Sequence, residues 1–340
     1  GRKVMKAGER FGRYVKGQEV DRLPVIEWAP FWTKTLERWG SEGLDATVRG
    51  LEDILRIQRY FGLDGCLQTY FSWRSNETPE AKSFGGGIIK NAYDYGRIKK
   101  TIFKNPSLYY GKEFYEWLNK VENSDGDTIN WFTVEGFFWV PRELFGVQNH
   151  FYSFYDQPEL LNEICSDYAD WLEKVFEFIG NTFNFDFMTF AEDMSYNNGP
   201  MISADIFNEF LAPYYKKVIP VIKKCGIPVV IDSDGDITDA VDWYHSVGAD
   251  GMLPLERRAG VDVSVYIKKH PEMFFIGHFD KTCMSSGEKA MRDEFERIMP
   301  SWQKGKVIPS VDHQTPPDVD INTYKLYVSL LKEYSMRLKR

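Results

Sequence analysis

The chain has 340 residues, 43% of them hydrophobic, and a formal net charge of −8. This composition supplies a large core and excludes a disordered chain, and the acidic balance excludes a surface built for nucleic acid or anionic lipid. No apolar run reaches the ~20 residues of a membrane-spanning helix, and Gly1–Glu9 lacks the apolar stretch of a secretory signal, so a soluble cytoplasmic protein is expected.

In chain order, Ala7–Asp21 predicts an N-terminal helix. Eight short apolar runs follow: Pro24–Trp28, Leu63–Tyr70, Trp131–Val140, Phe185–Asp193, Pro228–Asp234, Asp250–Glu256, Phe274–Asp280 and Val307–His313. Their near-continuous apolar character suits parallel strands buried on both faces. Helical patterns separate the later runs. Asp156–Gly180 starts with Pro in its first turn, and Ser203–Lys224 starts on a capping serine. Asp236–Val247, Asp262–Lys269, Gly287–Met299 and Asn322–Leu338 complete the set. Residues 85–103 alternate like a β-hairpin with a turn near Tyr95-Gly96, and are read as part of an insertion over about 76–125 after the second strand. No GxGxxG or P-loop follows any strand, which disfavours an open nucleotide-binding sheet. The expectation is a single-domain (β/α)₈ TIM barrel over 1–340, with an N-terminal helix and the hairpin insertion. Cys66, Cys165, Cys225 and Cys283 are too far apart for a CxxC site or a disulfide framework, which suits buried thiols in a reducing compartment.

Such barrels do their chemistry at the C-terminal strand ends, and those ends are acidic here. Glu192 and Asp193, then Asp232 and Asp234, then Glu256, then Asp280 and Asp312, close five successive runs. Residues two apart on a strand share a face, so Asp232 and Asp234 can both point to the axis, as can His278 and Asp280. Carboxylates so gathered repel unless protons or a cation offset them. A divalent metal, Zn²⁺ first with Mn²⁺ or Fe²⁺ as alternatives, suits carboxylate oxygens with one imidazole. One of these acids is also free to serve only as a helix cap, with Asp234 and Asp236 competing for that duty. Trp28, Tyr70 and Trp139 stand where they can wall a pocket, Arg142 can meet a carboxylate, and His278 is placed with them on the substrate side. His150, His245 and His270 read as packing or surface residues.

Gly-Gln-Glu-Val-Asp-Arg-Leu-Pro-Val (17–25), the block from Glu192 to Tyr215, Asp-Ser-Asp-Gly-Asp (232–236) and Val-Asp-His-Gln-Thr-Pro-Pro-Asp-Val (311–319) together resemble the uroporphyrinogen decarboxylase superfamily. True decarboxylases of that superfamily carry an Arg-rich run after the first strand. This chain reads Trp28-Ala-Pro-Phe-Trp-Thr-Lys there, without those arginines. The resemblance is therefore nearer the corrinoid-linked methyltransferase branch, whose zinc is held by His-x-Cys and by a Cys before Pro-Pro. Those positions fall on Asp232, Asp234 and His313.

The resemblance implies a metal-dependent enzyme moving a methyl group from a small methylated substrate to a corrinoid protein or another acceptor. Asp232, Asp234 and His313 are expected as metal ligands. Glu192, Asp193 or Glu256 are expected as acid or base, with Asp280 orienting a neighbour. The alternatives are a metal-free decarboxylase acting on a carboxylated aromatic or tetrapyrrole-like substrate, and a non-catalytic corrinoid- or partner-binding barrel.

Overall fold

A computed structural model describes residues 4–106, 115–116 and 127–338. Seven strands form one parallel sheet in sequence order: β1 Gly65–Tyr70, β2 Thr128–Glu135, β3 Phe187–Ala191, β4 Val229–Asp232, β5 Gly251–Leu253, β6 Phe274–Phe279 and β7 Lys306–Val311. Each is buried along most of its length, as its apolar run requires. Helices cross between successive strands, so the sheet curls as an α/β barrel.

The expected first strand, Pro24–Trp28, is extended chain without a strand ladder. It lies between the two edges of the sheet. The Asp64 amide donates to the Val25 carbonyl (2.8 Å) beside β1, while the Ser310 hydroxyl donates to the Ile26 carbonyl (2.9 Å) and the Trp28 indole to the Val311 carbonyl (2.6 Å) beside β7. Pro24 has no N–H for a ladder, and the Val25 amide is taken by the Asp64 carboxylate (2.9 Å). The gap between the sheet edges is thus bridged by a single backbone bond on the β1 side and by side-chain donors on the β7 side, where a regular pair of ladders was expected.

The N-terminal helix, Ala7–Val15, plugs the end where the strands begin. Phe11 stacks on Phe187 with ring centroids 5.1 Å apart and meets Phe274 edge-on at 6.0 Å. The Tyr14 hydroxyl donates to the Val307 carbonyl (2.9 Å). The helix Pro158–Thr182 begins with its proline in the first turn, and Ser203 accepts the Ile206 amide (3.2 Å), both as expected.

The expected hairpin over 85–103 is a helix, Ala92–Ile98, followed by a single 3₁₀ turn, Lys99–Thr101. Asn91 Oδ1 accepts the Asp94 amide (3.1 Å), and the Asp94 carboxylate accepts the Lys90 amide (2.9 Å). This reciprocal cap sets the helix. Tyr95 and Ile98, three residues apart, are buried, while Tyr93 is exposed; the apolar residues follow a helical rather than a two-residue period. Of the wider insertion, residues 107–114 and 117–126 lie outside the described residues. Among the described residues, no helix is long and apolar enough to cross a membrane.

Candidate active site at the strand ends

The mouth of the barrel is built on β3 and β4. Ala191 pairs with Asp232 in register, and the Asp232 carbonyl accepts the Glu192 amide (2.9 Å). Beyond that point the β3 chain turns through a positive φ of 41° at Asp193. This bend swings the Asp193 carboxylate across to β4, where its Oδ1 accepts the Asp234 amide (3.2 Å). Ser233, between the two aspartates, is buried and accepts the Met194 amide (3.2 Å), so Asp232 and Asp234 share the other side. Carboxylate oxygens of Asp193, Asp232 and Asp234 all lie within 4.8 Å of one another. His313, just past β7, places Nε2 3.7 Å from Asp234 Oδ2.

Which aspartate serves the next helix is settled by contact. Asp236 accepts both the amide (3.0 Å) and the hydroxyl (2.6 Å) of Thr238. Asp234 is left to the mouth.

The electrostatics follow from crowding under partial burial. Burial, then the charges of Asp193 and Asp234, hold the Asp232 carboxyl well above the usual carboxylate range. Asp193 is pushed up to about 6 by burial and by Asp234, against the opposing pull of Arg142 and His313. His313 is pushed up chiefly by the neighbouring Asp234 carboxylate, with burial opposing. The Tyr70 hydroxyl, at the end of β1, is pushed up to about 12 by its partial removal from water and then by the charge of Asp232.

The other expected residues divide into two groups. Glu256 borders the mouth, and its Oε2 accepts the Gly235 amide (2.7 Å), fixing the turn that carries Asp234. Arg142 lies over the Trp139 ring at 4.8 Å and within electrostatic reach of Asp193. Trp28 and Tyr70 line a cavity of about 450 Å³ beside β1, together with Pro30, Leu51, Ile54 and Gln68. Glu192, His278 and Asp280 are built into the walls. Glu192 is fully buried, accepts the amides of Phe138 (2.8 Å) and Trp139 (3.0 Å) and is bonded by the Tyr215 hydroxyl. His278 is buried between the Leu255 carbonyl (Nδ1, 2.9 Å) and Arg297 (Nε2, 3.1 Å), and burial pushes it down to about 4. Since Arg297 can only donate, Nε2 accepts and Nδ1 carries the proton. Asp280 caps the turn Lys281–Ser286 through the Thr282 amide (3.0 Å) and meets Arg258 at 3.3 Å.

The site also contains groups not expected from the sequence as site residues. Glu135, at the end of β2, is pushed up to about 8 by burial and then by Glu143. Inside the barrel, Gln68 Nε2 donates to the Thr133 hydroxyl (2.8 Å), which is 2.7 Å from the Thr189 hydroxyl. This polar relay is one signal a sequence does carry, since Gln68, Thr133 and Thr189 are polar residues inside apolar runs.

The structure is similar over its whole length to solved proteins. A methyltransferase from Methanosarcina mazei aligns over 97% of this chain and 99% of its own, with 14% identity and a TM-score of 0.62. A Listeria monocytogenes protein assigned as a vitamin-B12-independent methionine synthase aligns over 95% of this chain and 100% of its own, with 9% identity and a TM-score of 0.53. At these identities the likeness is one of fold. No curated protein matches the sequence. The family model for uroporphyrinogen decarboxylase (URO-D) matches residues 150–334, a span that begins within the helix Val147–Asp156, two helices before β3, and contains Asp193, Asp232, Asp234 and His313. With more than half of its length matched and the barrel in place, the chain belongs to the uroporphyrinogen decarboxylase family.

Proposed function

We propose that this chain is a metal-dependent enzyme that moves a methyl group from a small methylated substrate to a corrinoid protein or another acceptor. The observation that carries the reading is the convergence of Asp193, Asp232 and Asp234 within 4.8 Å beside His313. Three carboxylates so close need protons or a cation. Oxygen donors on rigid strand ends, with an imidazole at hand, fit a divalent ion. Asp193, Asp232 and Asp234 would hold it, with His313 completing the set. When bound, the ion supplies Lewis acidity at the heteroatom that carries or receives the methyl group.

The chain's own side chains do the rest. Glu256 positions the Asp234 turn. Trp28 and Tyr70 give the substrate's apolar part a wall, and Arg142, over the Trp139 ring, would meet an anionic group near Asp193. The Methanosarcina neighbour supports methyl transfer; the Listeria neighbour, being B12-independent, supports an acceptor other than a corrinoid.

A metal-free decarboxylase is the second reading, favoured by one observation: Asp193 and Asp232 have raised affinity for protons, and a protonated carboxyl can quench the carbanion left by loss of CO₂. Metal counting on protein purified without added metal, with Asp232→Asn alongside, separates the two. Bound metal in the parent, lost in the variant together with methyl transfer from methylated donors, supports the proposal. Turnover that survives chelation in metal-free protein overturns it.

A further inference from the structure

At the opposite end of the barrel, where strands begin, three metal-ligating side chains meet. His245 lies in the last turn of the helix Thr238–Ser246, His270 follows the helix Val263–Lys269, and Glu272 lies in the turn before β6. Donor atoms of all three lie within 4.8 Å of one another. Glu272 Oε1 sits between the two imidazoles, 2.5 Å from His245 Nε2 and 3.8 Å from His270 Nδ1. The rings lie over each other with centroids 4.2 Å apart and planes 32° apart, so both edges face the same carboxylate.

A second observation comes from the far nitrogen of His270. Its Nε2 lies 2.7 Å from Asp242 Oδ1, and the other oxygen of Asp242 is bonded by Lys269. A carboxylate on one ring nitrogen makes that nitrogen the N–H donor and leaves Nδ1, the nitrogen facing Glu272, with its lone pair. This carboxylate–histidine arrangement orients and strengthens an imidazole ligand. Tetrahedral Zn²⁺ with bonds of about 2.0–2.1 Å sets neighbouring donors roughly 3.3 Å apart. The observed separations of 2.5 and 3.8 Å bracket that spacing, and Glu272, which sits between the rings, is more than half exposed.

We infer that His245, His270 and Glu272 form a second, three-ligand site for a divalent transition metal such as Zn²⁺, oriented by Asp242 and separate from the acidic mouth. Binding would displace the proton shared between His245 Nε2 and Glu272 Oε1 into solvent, and water would take the fourth position. The ion would tie the end of one crossover helix to the turn that feeds β6. A histidine pair with a carboxylate, rather than carboxylates alone, selects zinc-like ions over magnesium or calcium.

The test is zinc counting on the full chain after dialysis against Zn²⁺, for the parent, His270→Ala, Glu272→Gln and, as a control at the mouth, the pair Asp232→Asn with Asp234→Asn. Glu272 is more than half exposed, so its variant tests the site even if a histidine variant fails to fold. The expected result is the loss of one zinc equivalent in His270→Ala and in Glu272→Gln, with that equivalent retained in the mouth variant. Asp242→Asn is expected to bind the same equivalent about 10–100-fold more weakly. Equal zinc in the parent and Glu272→Gln overturns the inference, and reduces the cluster to a proton-sharing surface pair. Because the mouth variant is measured separately, failure of the methyl-transfer reading leaves this result intact.

Discussion

Glu27 is a carboxyl kept at 3% exposure beside the mouth, with the Tyr324 hydroxyl donating to it at 2.6 Å. Burial pushes it up to about 8 from an ordinary 4.5. The folded protein therefore holds a proton that the unfolded chain releases. The stability from this group is complete below about pH 4.5 and is lost as pH rises toward 8. Glu27→Gln is expected to be more stable than the parent at pH 9 and nearly equal at pH 5. The slope removed should be at most about 1.4 kcal/mol per pH unit for one proton. Denaturant melts at pH 5, 7 and 9 check this; an unchanged slope would show that Glu27 ionises normally. At this scale the sequence was informative about residue type and less so about direction. Asp232 and Asp234 share a side because strand alternation, carried just past the end of β4, turns Ser233 between them to the Met194 amide. Glu192 belongs to a wall because its partners, the Phe138 and Trp139 amides, lie 54 and 53 residues away and leave no local trace.

Among elements, the junction of the N-terminal helix with the extended segment 24–28 rests on one guanidinium. Arg10 is 1% exposed and meets Asp21 at 2.6 Å and Asp64 at 3.4 Å. Asp64 in turn accepts the Val25 amide and pairs with Arg22 at 2.7 Å. Arg10→Ala leaves these part-buried carboxylates short of a partner and is expected to cost about 3 kcal/mol, the lower end of the cost of breaking a buried pair. Urea unfolding measures it; a loss below about 1 kcal/mol would mean that the pair behaves as a surface salt bridge. The helices after residue 156 were legible because their caps and periods agree. The segment around Tyr95 was not, since a short stretch of alternating apolar residues fits either period, and the Asn91–Asp94 cap decides between them. Pro24–Trp28 has the apolar content of a strand but lacks the ladder, a consequence of Pro24 and of Asp64 taking the Val25 amide.

The whole molecule keeps its two ends apart, with chemistry proposed at one and a plug at the other. Phe11 is fully buried in the plug, so Phe11→Ala should cost about 3–5 kcal/mol while leaving metal binding at the mouth unchanged. Thermal melts paired with metal counting check both halves; loss of mouth metal in a folded variant would show that the two ends are coupled. The apolar runs, their spacing and the acids at their ends were enough to specify a barrel with an acidic mouth, because strand burial and side-chain alternation are local properties, while the set Asp232, Asp234 and His313 came from the family resemblance. The membership of the site depended on packing between distant segments. Asp193 joins the acidic set through a backbone bend, His278 and Asp280 are drawn into walls by Arg297, Leu255 and Thr282, and His245 and His270 meet Glu272 where two crossovers converge. Such encounters are set by how the sheet curls and which loops then touch, and contacts between segments far apart in the chain have no periodic signature along it.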